Sequence, residues 1–211
     1  MGSVSDAVKA ARSKIPPDVL VLQGIDAGGH GLARAASIVS LVPEVADALA
    51  ELDLVKDIPI VAAGGIADGR GVAAALGLGA MGAVMGTRFL AAEEAKVARG
   101  YQADVVRTTD GGQNTVRTTL YDELAGRTNW PREYDGRNVV NGSWVDRESG
   151  LGYEENKIRY EEATKKGDEG RMTSYVGSAV GLVREVSKAE DIVRNTREEA
   201  RCALGRVNSL L

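Results

Sequence analysis

Ile58-Pro-Ile-Val-Ala-Ala-Gly-Gly-Ile66, the small-residue run from Asp68 to Leu78, and Met81-Gly-Ala-Val-Met-Gly-Thr87 together decide the reading of this chain. Ile58 to Ala63 and Met81 to Met85 are short, continuous apolar runs, the pattern of strands buried on both faces of a parallel sheet. Each gives way to glycine at its C-terminal end: Gly64-Gly65 after the first, Gly86 after the second. The run between them reads as a helix closed at Gly79, so the segment is a strand, a crossover helix and a second parallel strand.

The same unit extends upstream. Val19 to Gln23 is another buried strand, followed by the glycine-rich loop Gly24-Ile-Asp-Ala-Gly-Gly-His30-Gly31. Ile38 to Leu52 reads as a helix, because Val42, Val45, Ala46, Leu49 and Leu52 recur at helical spacing. Ser5 to Lys14 is an amphipathic helix stopped by Pro16-Pro17. Downstream, Glu93 to Arg99 begins a further helix, with Glu93-Glu94 as its exposed start. Residues 1–100 thus form a β/α portion of three strand–helix units. Residues 101–172 are polar and rich in turn signals, and predict a loop-rich excursion with a strand at Thr115–Leu120 and a charged helix near Tyr153–Lys166. Residues 173–211 form a C-terminal segment, ordered at Val176–Val186, whose helix Lys188–Leu204 packs on the rest.

Composition removes several classes of function. A net charge of −4, with scattered basic residues, argues against nucleic acid or an anionic membrane as main partner. No run is long and apolar enough to span a bilayer. The single cysteine, Cys202, excludes an internal disulfide framework and fits a reducing, cytoplasmic setting. One histidine and one cysteine give no transition-metal site. No Ser lies on a G-x-S-x-G elbow to start a hydrolase triad.

Two constellations remain. His30, the only histidine, is the residue type suited to proton transfer near neutrality, and it lies in a glycine loop directly after a strand. Gly64-Gly65 and Gly86-Thr87 end two successive strands with backbone N–H groups and a hydroxyl, which favours a phosphate cradle over simple turns. Gln23 is either a buried amide with backbone partners or a hydrogen bonder to a heteroaromatic ring. Asp26 reads as a turn cap; Arg70 and Arg88 face either solvent or phosphate, with solvent favoured.

The motifs Gln23-Gly-Ile-Asp-Ala-Gly-Gly-His30-Gly, Ile60-Val-Ala-Ala-Gly-Gly-Ile-Ala-Asp-Gly-Arg70 and Gly79-Ala-Met-Gly-Ala-Val-Met-Gly-Thr-Arg-Phe89 resemble the nitronate monooxygenase (2-nitropropane dioxygenase) family over about residues 5–95. The resemblance implies a TIM barrel holding FMN and oxidising alkyl nitronates with O₂ to carbonyl compounds and nitrite. It implies flavin-binding positions at Gln23 and Gly28, and phosphate loops at Gly64-Gly65 and Met85-Gly86-Thr87. It places His30 at the active-site histidine, which takes the α-proton of a neutral nitroalkane or holds a nitronate already formed. A complete barrel has eight strands in about 250 residues, whereas this chain carries roughly the last three β/α units of a partial (β/α)₈ barrel. The chain then reads as a truncated gene product, as a separately encoded half completed by a complementing N-terminal half, or as a fragment that forms a homo-oligomer. Two other readings stay open: a flavin-dependent enoyl-thioester reductase, and a non-catalytic half-barrel that binds phosphate or a partner.

Overall fold

The computed structural model describes residues 1–52, 57–127 and 129–210. The last residue of the 173–211 segment, Leu211, lies outside the described residues.

The N-terminal helix α1 (Val4–Ala11) starts where the Ser3 hydroxyl accepts the Asp6 N–H, and it buries Ala7 and Ala11. Strand β1 (Leu20–Gln23) follows, and then the glycine loop. The second half of that loop is itself a strand, β2 (Gly29–Leu32), which a glycine-rich sequence does not announce. Helix α2 (Ile38–Ala50) buries Ile38, Leu41, Val42, Val45 and Leu49 along one stripe, and Ser37 caps it. Next come β3 (Ile60–Ala63), α3 (Gly69–Gly77), β4 (Gly82–Val84) and the short α4 (Thr87–Leu90). The Asp68 side chain caps α3 by accepting the N–H groups of Arg70 and Gly71.

Strands β1, β3 and β4 form a parallel sheet in the order β1-β3-β4, with Leu22, Ala62 and Ala83 in one row and Gln23, Ala63 and Val84 in the next. The expected α/β alternation is therefore present. One face of the sheet, through Leu20, Leu22, Ile60 and Ala62, packs under α1, α2 and α3 as the main core. The opposite face is uncovered at Val19, Val21 and Val84, with Val21 43% and Val84 45% exposed. Met1 bonds to the outer edge of β1: its amino group donates to the Val21 carbonyl and its carbonyl accepts the Gln23 N–H.

Two expectations are corrected. No helix begins at Glu93: the segment is turns, and α5 starts at Arg99 (Arg99–Arg107). Glu93 instead bonds through its N–H to the Ser187 carbonyl, and the Glu94 carboxylate accepts the Ala189 N–H at the start of the last helix. Nor is 101–172 loop-rich. It contains α6 (Gly111–Asn114), β5 (Thr115–Thr118), α7 (Leu120–Leu124), β6 (Tyr134–Val139), α8 (Gly142–Glu148) and α9 (Tyr153–Lys166). The reason is polar packing. Helix α9 buries only Asn156 and Ala163, and Asn156 donates to the Ser143 carbonyl while Arg159 and Arg171 both pair with Asp146. Such helices carry no apolar period to read.

Strands β2, β6 and β5 form a second, antiparallel sheet in the order β2-β6-β5, in which His30 lies opposite Gly136. A second core gathers Ala67, Ala91, Val105, Val139, Val176, Val180 and Val183. The 3₁₀ turn Ser178–Leu182 and helix α10 (Ala189–Asn208) complete the chain. Gly69 lets α3 approach α10: a Cβ there would come 2.3 Å from the Glu199 Cβ.

Candidate active site

Six of the residues singled out from sequence line one cavity of about 290 Å³ at the C-terminal ends of β1, β3 and β4: Gln23, Gly28, Gly64, Gly65, Gly86 and Thr87. Gly64 and Gly65 adopt φ of +96° and +75°, which side-chain-bearing residues rarely do. A Cβ on Gly64 would sit 2.9 Å from the Gly24 carbonyl oxygen, and one on Gly65 2.9 Å from the Asp26 Cβ. Among the described residues, the N–H groups of Gly64, Gly65 and Gly86 have no hydrogen-bond partner. The Thr87 hydroxyl accepts the Gly177 N–H at 2.8 Å and keeps its own proton to donate. A cluster of free N–H donors with a hydroxyl is the donor set that a phosphoester takes.

Met85 departs from this group. Its side chain packs against the main core, and Val84, one residue earlier on the alternating strand, lines the cavity instead. Gly28 is a glycine for packing: a Cβ would come within 2.4 Å of the Gly177 nitrogen. Asp26 does more than cap a turn, since its carboxylate and carbonyl both accept from Ser178. Arg70 is paired with Asp68 at the surface, and Arg88 donates to the Glu185 carbonyl and the Ser187 hydroxyl; neither reaches the cavity.

His30 lines a neighbouring cavity of about 390 Å³, and Gln23 belongs to both cavities. The Gln23 amide donates to the His30 carbonyl at 2.9 Å. His30 Nε2 is 2.7 Å from Asp122 Oδ2, and the Tyr175 hydroxyl donates to Asp122 Oδ1 at 3.0 Å. Trp130 stacks on the imidazole with ring centroids 3.9 Å apart and planes 9° apart. Tyr175 also lines the glycine cavity, as does Tyr101, whose hydroxyl donates to the Tyr175 carbonyl. Burial and the Asp122 charge push the Tyr175 pKa up, so the hydroxyl stays a donor.

Two arginines, one on β5 and one on β6, bond to the glycine loop. Arg117 donates to the Gly31 carbonyl and pairs with Asp135, and Arg137 donates to the Ile25 carbonyl and the Thr115 hydroxyl. Burial, and then the neighbouring Arg117 charge, lower the Arg137 pKa. Asp122, Trp130, Tyr175, Arg117 and Arg137 were all missed from sequence. They lie 86 or more residues from the loop they serve, and no local motif marks them.

The family model described as nitronate monooxygenase matches residues 1–199. The chain belongs to the nitronate monooxygenase family. Among members of the family, the nitronate monooxygenase npaC of Metarhizium robertsii is 53% identical over 97% of this chain and 58% of its own length. The nitronate monooxygenase of Neurospora crassa is 48% identical over 95% of this chain and 53% of its own. The chain thus spans somewhat more than half the length of these curated relatives. Among solved structures, FabK from Thermotoga maritima superposes with a TM-score of 0.76 at 25% identity, over all of this chain and 62% of that one. A nitroalkane oxidase from Streptomyces ansochromogenes gives 0.70 at 29% identity, over 97% and 58%.

Proposed function

We propose that this chain is the flavin-holding and base-bearing part of a nitronate monooxygenase, an enzyme that oxidises alkyl nitronates with O₂ to carbonyl compounds and nitrite. The observation that carries the reading is the convergence of Gln23, Gly28, Gly64, Gly65, Gly86 and Thr87 on one cavity, with His30 alongside through their shared neighbour Gln23. The donor set fits FMN: the free N–H groups of Gly64, Gly65 and Gly86 and the Thr87 hydroxyl would hold its phosphate. Gln23 keeps its side-chain oxygen as an acceptor for a ring N–H, and Gly28 forms the cavity wall beside it. When bound, FMN supplies the electron-transfer and O₂ chemistry. His30 accepts the α-proton of a neutral nitroalkane, or holds the anionic nitronate when protonated. Trp130 covers one face of the imidazole.

The uncovered valine face supports a further part of the reading. A parallel sheet normally has both faces covered, and Met1 lies on the β1 edge where another parallel strand would pair. We propose that β1, β3 and β4 are part of a (β/α)₈ barrel whose remaining strands cover Val19, Val21 and Val84. Those strands come from the region of the relatives that this chain does not span, or from a partner copy.

The test is reconstitution with FMN followed by assay of an alkyl nitronate for nitrite. Flavin binding with nitrite release is the expected result. A folded protein that binds no FMN, or that oxidises NAD(P)H with an enoyl thioester and releases no nitrite, overturns the reading.

A further inference from the structure

We infer that Asp122 and Tyr175 are positioning residues that hold His30 as the Nε2–H tautomer, leaving Nδ1 as the atom that takes the substrate proton. The inference deepens the reading of His30 as a base and rests on it. Asp122, on α7, is 5% exposed, and its two carboxylate oxygens face one donor each: His30 Nε2 at 2.7 Å and the Tyr175 hydroxyl at 3.0 Å. A carboxylate accepts and does not donate, so the imidazole nitrogen facing it carries the proton. The lone pair of a neutral ring is then on Nδ1, to which no described residue hydrogen-bonds.

The surroundings hold this arrangement in place. Tyr121, next to Asp122, is buried and anchors α7 by donating to the Asn141 side chain. Gly136, opposite His30, leaves room for the Tyr175 ring, since a Cβ there would come 2.9 Å from Tyr175 Cε1. The Tyr175 hydroxyl is also within the influence of Arg127, on the turn after α7. Trp130 lies flat on the imidazole and helps fix the ring plane, in which the Nδ1 lone pair points.

The step itself is a proton transfer. The α-C–H bond of the nitroalkane breaks as an N–H bond forms at Nδ1, and the electron pair passes into the nitro group to give the nitronate. The imidazolium so formed has the Asp122 charge on its Nε2 side and the indole face above it, both of which favour a cation. No electron leaves the pair of reactants, so the step needs no oxidant.

The single histidine makes the test direct, because ¹⁵N labelling of histidine gives the signals of one imidazole only. The wild-type chain is expected to show the Nε2–H tautomer. Asp122→Asn, whose amide can donate to Nε2, is expected to shift the population towards Nδ1–H, and Tyr175→Phe to shift it less. An Nδ1–H wild-type ring, or an unchanged tautomer in folded Asp122→Asn, overturns the inference. Should Asp122→Asn fail to fold, the wild-type spectrum and Tyr175→Phe still decide it. In the FMN-loaded protein, Asp122→Asn is expected to slow a neutral nitroalkane about 100-fold, the scale of a positioned base, and a preformed nitronate less than about threefold. An equal loss on both substrates means a merely structural role and overturns the assignment. A wild-type protein inactive on both defeats the functional reading and leaves the tautomer result standing.

Discussion

Gly64 and Gly86 line the same cavity, and the physical reasons for glycine differ between them. Gly64 has a positive φ and a Cβ would meet the Gly24 carbonyl oxygen at 2.9 Å, so the fold itself requires it. Gly86 has ordinary helical angles, and a Cβ there meets no protein atom within 4 Å. Its N–H lacks a partner among the described residues, which leaves ligand approach as the reason for the glycine. Gly86→Ala is therefore expected to melt within a degree or so of the wild type and to bind FMN about tenfold more weakly, a change of about 1.4 kcal/mol. Gly64→Ala is expected to lower stability by about 1–3 kcal/mol through backbone strain. Thermal melts paired with a flavin fluorescence titration separate the two, and parallel losses in both properties for Gly86→Ala would refute the distinction. The glycines were legible in the sequence because close backbone approach leaves a mark at one position. Asp122, Trp130 and Tyr175 were not, because each acts only through a contact that the chain makes after folding.

At the scale of the element, α3 shows how a few polar groups set where a helix begins. Asp68 accepts two backbone N–H groups and pairs with Arg70, while Gly69 admits α10 and donates its N–H to Glu199. Partial burial raises the Asp68 pKa, and the hydrogen bonds from Arg70 and Gly71 outweigh it, so the net shift is below the ordinary 3.8. A carboxyl with a lowered folded-state pKa stabilises the fold above its unfolded value and loses that contribution as pH falls through the folded value. Asp68→Ala is expected to cost about 1 kcal/mol near neutrality, and the difference from wild type should vanish in denaturant melts taken well below pH 3.8. A pH-independent difference would mean that the cap acts through packing alone. The helices of 101–172 belong to this scale too. Of these, α8 and α9 meet through the buried Ser143 and Asn156 and through the partly exposed pairs of Asp146 with Arg159 and Arg171, and a polar face that packs looks in sequence like a polar face that is solvated.

Over the whole molecule, two properties follow from what is buried and what is left open. Tyr121 is buried and Tyr101 and Tyr175 are partly buried, and burial is the leading cause that raises each pKa, Tyr101 to about 12. A folded-state pKa above the unfolded value of 10.0 means that the native state holds protons the unfolded chain releases. Stability is thus present in full below pH 10 and falls as pH rises beyond it. An alkaline titration should show tyrosinate absorbance from these residues only together with loss of the circular dichroism signal; their free titration in a folded protein would contradict the burial. The second property is the valine face of the parallel sheet. The chain on its own is expected to bind a hydrophobic dye or self-associate. Adding the region of a relative that this chain does not span, as a separate polypeptide, should suppress dye binding, and no change on addition would count against the barrel.

The sequence by itself determined the three parallel strands, the crossover helices between them, and the glycine ends that make the cavity. These rest on local causes: apolar runs, helical spacing, capping side chains and backbone angles that only glycine adopts. It also marked the family, because three motifs stand in order along about ninety residues. Only the tertiary structure decided that β2 leaves the glycine loop to join a second sheet. The same folding brings Arg117 and Arg137 to that loop and sets Asp122 and Trp130 against His30. The physical reason is that hydrogen bonds and ring contacts across ninety residues have no period and no spacing, and exist only once the chain has closed on itself.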